Sequence, residues 1–152
     1  MVRRLPVIQA SDSDERPRWH WFLIGTGFTV TLWLPLALLG LWSGSLLQRL
    51  AYGVEAEPVQ TALVRAAPLL FSFFLACFAS SALLGRFGGE AGVREALLGN
   101  LAATALILAI GGVSGDLGAG ILLGALLVLT PCAVLAGWGG VKLGRRLRQK
   151  NP

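Results

Sequence analysis

Four long stretches of this chain contain no Asp, Glu, Lys or Arg, and they constrain its fold more than any other feature. They run from Trp21 to Trp42, from Ala66 to Gly85, from Ala96 to Gly112 and from Leu117 to Trp138. A transmembrane helix needs roughly 20 apolar residues, because the hydrocarbon core offers no water to unpaired backbone groups. Charged residues make up only 14% of the chain, against about 25% in soluble domains. The sequence therefore predicts an all-α membrane protein with four transmembrane helices in a small bundle.

The cations are concentrated on one side of this predicted bundle. Eleven of the 13 Lys and Arg residues fall in the N-terminal segment, the connection between the second and third spans, or the C-terminal segment. Only Arg49 and Arg65 fall on the other side. Cytoplasmic segments carry such an excess, so we expect both termini to be cytoplasmic. Residues 1–18 are then a flexible cytoplasmic tail, residues 19–141 the transmembrane domain and residues 142–152 a basic cytoplasmic tail.

Tryptophan marks the ends of two predicted spans. Trp19 and Trp21 lie at the start of the first span, Trp42 ends it, and Trp138 ends the fourth. Indole rings favour the boundary between headgroups and hydrocarbon, so we expect these four residues to be membrane-interface anchors. The chain is rich in Ala, Gly and Leu and has 11 Arg to 2 Lys, which is typical of GC-rich bacterial genomes. We therefore expect a multi-pass protein of the bacterial inner (cytoplasmic) membrane.

One connection, Ser43 to Arg65, is much longer than the others and is expected on the extracytoplasmic side. Leu46, Leu47, Leu50 and Val54 share one helical face within it. Pro58 is well suited to begin a second short helix, which would run through Val64. Such a segment can lie in the plane of the membrane interface or meet a partner protein.

The spans lack the groups on which most membrane chemistry depends. Proton-coupled transporters and pumps need ionisable residues within the membrane, and the four spans contain no acidic or basic one. His20 is the only histidine, and Cys77 and Cys132 lie inside apolar spans, where thiols stay protonated and inert. We predict no catalytic residue, no cofactor, no metal site and no nucleic-acid partner.

Small residues recur at every fourth position and favour close helix packing. In the fourth helix this row begins at Gly120 and continues beyond the span to Gly144, and six of its seven residues are small. Such a row lets two helix backbones approach closely, within one chain, between copies or against another membrane subunit. The expected packing residues are Gly120, Gly124, Cys132 and Ala136 in the fourth span and Ser72, Ala76 and Ser80 in the second. The third span contributes two polar intramembrane residues, Asn100 and Thr104, and an Asn can hydrogen-bond across helices.

These features leave more than one class of function open. The first is a non-enzymatic subunit or accessory protein of a membrane complex, which explains the uncharged spans and the rows of small residues. The second is a small oligomeric transporter or channel for a neutral or weakly charged solute. Its path would be lined by Thr26, Thr29, Asn100 and Thr104. A third, weaker hypothesis is a lipid-modifying enzyme, for which the available carboxylates at the outer interface are Glu55, Glu57 and Asp116.

Overall fold

The fold consists of α-helices joined by short connections. The computed structural model describes residues 18–52, 58–88, 92–113 and 118–150. The helices are α1 (Arg18–Tyr52), α2 (Pro58–Phe87), α3 (Val93–Val113) and α4 (Ala119–Lys150). Each contains a window that is long and apolar enough to cross a membrane. The prediction of four helices with this capacity is therefore confirmed, and it suggests a multi-pass membrane protein.

Three of the helices extend well beyond the predicted spans. α1 continues past Trp42 to Tyr52, and α2 begins at Pro58 and not near Ala66. The second short helix expected from Pro58 is instead the first part of α2, so the long connection is reduced to residues 53–57 outside the two helices. At about 1.5 Å per residue, the 35 residues of α1 span roughly 52 Å, well over a bilayer core of about 30 Å. α4 likewise continues to Lys150, so most of the predicted basic tail is helical.

The helices form a ring in the order α1, α2, α4, α3. α2 packs most extensively against α4 and then against α1, while α3 packs against α1 and α4 and touches α2 only slightly. Within the described residues the backbones of α1 and α4 do not approach each other closely. Phe73 and Cys77 of α2 form the buried apolar core with Ala133 and Ala136 of α4, and Trp33 packs against it from α1.

Glycines set the distance between α2 and α4. A Cβ atom on Gly140 would collide with the carbonyl oxygen of Phe78, and one on Gly144 would collide with the carbonyl oxygen of Ala82. Both obstacles are backbone atoms, so neither can move aside without shifting the helix. Both pairs advance by four residues along each helix, which shows that α2 and α4 run in the same direction.

A second close approach joins α1 to α3. A Cβ atom on Gly99 would lie 3.2 Å from the backbone nitrogen of Thr26 and 3.3 Å from the carbonyl oxygen of Phe22. This spacing is tighter than ordinary side-chain contact. The absence of a side chain at Gly99 therefore brings the next residue of α3, Asn100, within hydrogen-bonding reach of α1.

Candidate functional site

Buried polar side chains from three helices meet in the interior of the bundle. We call Thr29 of α1, Ser80 and Ser81 of α2, and Asn100 and Thr104 of α3 the polar cluster. Each of the five is at most 1% exposed. A polar group buried in an apolar environment without a hydrogen bond costs several kcal/mol, so the partners of these atoms decide what the cluster can do.

Asn100 connects its own helix to the other three. Its Oδ1 atom accepts a hydrogen bond from Thr29 Oγ1 at 3.0 Å. Its Nδ2 atom donates to Ser81 Oγ at 3.1 Å and to the carbonyl oxygen of Ala133 at 3.2 Å. An amide has two N–H donors, so both are used, one toward α2 and one toward α4.

Thr29 and Ser80 are connected through their hydroxyl groups, and Thr29 also bonds to Asn100. Thr29 Oγ1 lies 2.8 Å from Ser80 Oγ and 2.9 Å from the carbonyl oxygen of Gly25. Ser80 Oγ lies 3.2 Å from the same carbonyl oxygen. Each hydroxyl has a single proton. Thr29 can therefore donate to Asn100 while Ser80 donates to Thr29 or to Gly25, and every side chain in this group has a partner inside the bundle.

The other threonines named as possible path-lining residues bond to backbone groups. Thr104 Oγ1 donates to the carbonyl oxygen of Asn100 at 2.8 Å, within α3. Thr26 is half-buried, and its Oγ1 lies 3.0 Å from the carbonyl oxygen of Phe22 and 3.3 Å from that of Gly99. The structure thus brings Thr29, Asn100 and Thr104 together and places Thr26 about one turn away, with all four engaged by protein groups.

The predicted packing residues of α2 turn mainly toward α1. Ser72 and Ala76 are buried. A Cβ atom on Gly40 of α1 would lie 2.7 Å from Ser72 Oγ. Ser80 also faces α1 through its contact with Thr29.

The predicted packing residues of α4 form two pairs, one packed within the bundle and one exposed. Ala136 is fully buried, and Cys132 is partly buried against the apolar core. Gly120 and Gly124 are exposed, and a Cβ atom on either would meet nothing within 4 Å. Neither glycine packs on another of the helices that the structure describes, and their role at an interface with a copy or partner stays a prediction.

An apolar groove of about 640 Å³ lies between α1 and α2 near their connection. Leu47, Val64, Ala67 and Phe71 are among its lining residues. The hydroxyl of Ser43, which also lines it, donates to a backbone carbonyl oxygen in its own helix. The groove therefore suits hydrocarbon and offers little to a polar solute.

Of the residues considered for chemistry, the structure describes His20 and the two cysteines, and Cys132 packs against the apolar core that contains Cys77. His20 stacks on Trp19 with ring centroids 3.8 Å apart, and its Nδ1 atom is buried with no hydrogen-bond partner among the described residues. In those same parts of the chain, no three His, Cys, Asp or Glu side chains are grouped so that they could hold a metal ion. The carboxylates proposed for a lipid-modifying enzyme, Glu55, Glu57 and Asp116, lie outside the described residues.

The tryptophans expected at the membrane interface are on the surface or close to it. Trp19, Trp42 and Trp138 are exposed, and Trp21 is partly buried. Lys142 Nζ lies 3.6 Å from the centroid of the Trp138 ring, which places a cation directly beside one of these rings.

Ser81 is the one member of the polar cluster that is not among the residues predicted from the sequence. The sequence does place Ser81 and its partner Asn100 at matching positions in their spans. Ser81 lies four residues before the end of the predicted second span, and Asn100 lies four residues after the start of the third. The two spans run in opposite directions, so these positions fall at similar height in the bundle.

Comparison of the chain with protein-family models, with curated proteins and with solved structures found no match. A proposal for function therefore rests on the contacts described above.

Proposed function

We propose that this chain is a non-enzymatic subunit or accessory protein of a membrane complex. The observation that carries the proposal is the polar cluster, whose side chains bond to one another and to backbone groups. Catalysis or solute transport within one bundle needs polar groups that face a bound molecule. Here Asn100 uses both amide donors to join helices, which favours a stable bundle that acts through its outer surface.

The uncovered face of α4 is the part of that surface best suited to another helix. We define it by Gly120, Leu123, Gly124 and Leu127, which fall on one side of the helix. Leu123 and Leu127 are 62% and 76% exposed. Helices associate in membranes chiefly through close packing at small residues, because lipid is as apolar as the side chains. This face therefore supports contact with a second copy or with another membrane subunit.

The proposed location is the bacterial inner membrane, with both termini cytoplasmic. Contacts of Gly25 with Leu84 and of Gly144 with Arg86 bring the start of α1 and the ends of α2 and α4 to the same end of the bundle. Most of the cations lie at that end. The excess of positive charge supports a cytoplasmic position for it.

The proposal is tested by measuring the mass of the complex that contains the chain. A tagged full-length chain is extracted in a gentle detergent, and its assembly is sized by native electrophoresis and mass spectrometry. Gly124→Leu should reduce the assembly, because the new side chain holds the opposing helix away. Gly27→Leu is the matched control, since Gly27 is also exposed with nothing within 4 Å but lies on α1. A chain that purifies as a lone monomer contradicts the proposal.

The alternative is a small oligomeric transporter or channel for a neutral or weakly charged solute. Because the polar side chains of the cluster are engaged within one bundle, its path would run between copies, and the uncovered face of α4 is where such copies could meet. The purified chain is reconstituted in liposomes, and uptake of labelled neutral solutes is compared with uptake by empty liposomes. Flux that is abolished by Gly124→Leu and kept by Gly27→Leu would replace the subunit proposal with this one.

A further inference from the structure

Cations from three helices gather at one end of the bundle, which we call the basic end. All six of these side chains are exposed. They are Arg86 of α2, Arg94 of α3, and Lys142, Arg145, Arg146 and Arg148 of α4. At the opposite end the described cations are Arg49 and Arg65. The nearby carboxylate of Glu95 accepts a hydrogen bond from the backbone nitrogen of Gly92 at 2.7 Å, so it caps α3.

Two of these cations lie over aromatic rings. Lys142 Nζ is 3.6 Å from the centroid of the Trp138 ring, and Arg86 Cζ is 5.2 Å from that of Phe87. Both distances are within the range of cation–π attraction. Trp favours the boundary between hydrocarbon and headgroups, so a cation held on the Trp138 ring lies at the depth of lipid phosphates.

The length of α4 places its cations at the same depth. The 18 steps from Gly120 to Trp138 cover roughly 27 Å, close to the thickness of a bilayer core of about 30 Å. The four steps from Trp138 to Lys142 add about 6 Å, and the helix continues to Lys150. The cations of α4 therefore begin at the headgroup layer and extend past it.

We propose that the basic end binds the phosphate headgroups of anionic phospholipids, with Arg86, Lys142 and Arg146 as the principal contacts. The inference rests on membrane insertion of the bundle, and it is independent of the subunit role. The cations share their depth with exposed apolar side chains, among them Phe87 at 65% and Leu143 at 41%. Lipid covers these apolar groups and pairs with the cations at once, whereas an acidic protein or a nucleic acid in the aqueous phase would leave the apolar groups in water.

The test measures lipid preference by tryptophan quenching. The full chain is reconstituted in phosphatidylcholine vesicles that contain increasing fractions of brominated phosphatidylglycerol or brominated phosphatidylcholine, and insertion is verified by flotation. The relative binding constant is taken from the normalised quenching curves. Polybasic segments gain roughly fivefold in affinity per cation near an anionic surface, so we expect the wild-type chain to prefer the anionic lipid by at least about fivefold.

The variants separate the basic end from net charge. Lys142→Gln with Arg146→Gln should remove most of the preference for phosphatidylglycerol. Arg49→Gln with Arg65→Gln removes the same charge at the opposite end and should retain it. Raising the salt concentration to about 0.5 M should weaken the wild-type preference through screening.

Three results would overturn the inference. The first is an equal preference in the wild-type chain and the Lys142 and Arg146 variant, and the second is an equal loss in the control variant. The third is complete displacement of the lipid effect by soluble polyglutamate at physiological salt, which would assign the surface to an acidic protein. A chain that fails to float with vesicles contradicts membrane insertion, which is a different outcome from an inserted chain without lipid preference.

Discussion

Replacing Asn100 with Ala should destabilise the bundle by about 2 kcal/mol. The side chain makes three hydrogen bonds, one to each of the other helices. Bonds between membrane helices contribute about 0.6 kcal/mol on average, and three of them give about 2 kcal/mol. Ala is preferred to Leu because Asn100 is only 1% exposed and packs closely against Gly137, which leaves no room for a larger side chain. A Leu would therefore add a steric collision to the loss of hydrogen bonds.

The free energy of unfolding is measured in mixed micelles by titration with sodium dodecyl sulfate, followed by tryptophan fluorescence and circular dichroism. Thr104→Val is the matched control, because Thr104 is equally buried on the same helix but bonds only within α3. Its cost should stay below about 0.5 kcal/mol, since its hydrogen bond joins no second helix. If the Asn100 variant unfolds at the wild-type detergent fraction, or if both variants lose equal stability, the three bonds do not hold the helices together.

Three further predictions concern packing, accessibility and topology. Gly140→Leu should prevent the native contact of α2 with α4, because its side chain would collide with the backbone of Phe78. The unfolding titration would then show the transition at a much lower fraction of sodium dodecyl sulfate. Cys77, which is fully buried, should resist a membrane-permeable maleimide in a Cys132→Ala background until sodium dodecyl sulfate unfolds the chain. A periplasmic reporter enzyme fused within residues 53–57 should be active, and a fluorescent protein fused to the C-terminus should fold.

Each of these three predictions has a stated outcome that would contradict it. Gly27→Leu is the control for packing, since nothing lies within 4 Å of a Cβ atom there; equal destabilisation would show that the effect belongs to glycine replacement in general. Rapid labelling of Cys77 in the folded chain would contradict the packing of α2. An active reporter enzyme at the C-terminus would invert the proposed orientation.

The number and type of the helices could be predicted because hydropathy reports directly on what lipid tolerates. Their ends could not. Leu46, Leu47 and Leu50 have the same periodicity whether the segment lies in the interface plane or continues a transmembrane helix. The structure continues α1 to Tyr52, since the helical hydrogen bonds need no change in composition to persist beyond Trp42.

The partners within the polar cluster were harder to predict than its members. The sequence shows that Asn100 and Thr104 share a span, but the donors and acceptors around them come from other helices. Those partners depend on rotation and register, which are set by contacts such as Gly99 against Thr26. A row of small residues has the same limit, because spacing alone does not tell which helix, or whether any helix, lies opposite Gly120.

The extensive contact between α2 and α4 has a consequence for biogenesis. Of the described helices α4 is synthesised last, so the partner that α2 contacts most is absent while the first three helices are made. Until it arrives, Asn100 lacks the carbonyl oxygen of Ala133 as an acceptor. The contacts of α2 and Asn100 are therefore completed only when α4 arrives, and a nascent chain halted before α4 would be a natural substrate for protein quality control.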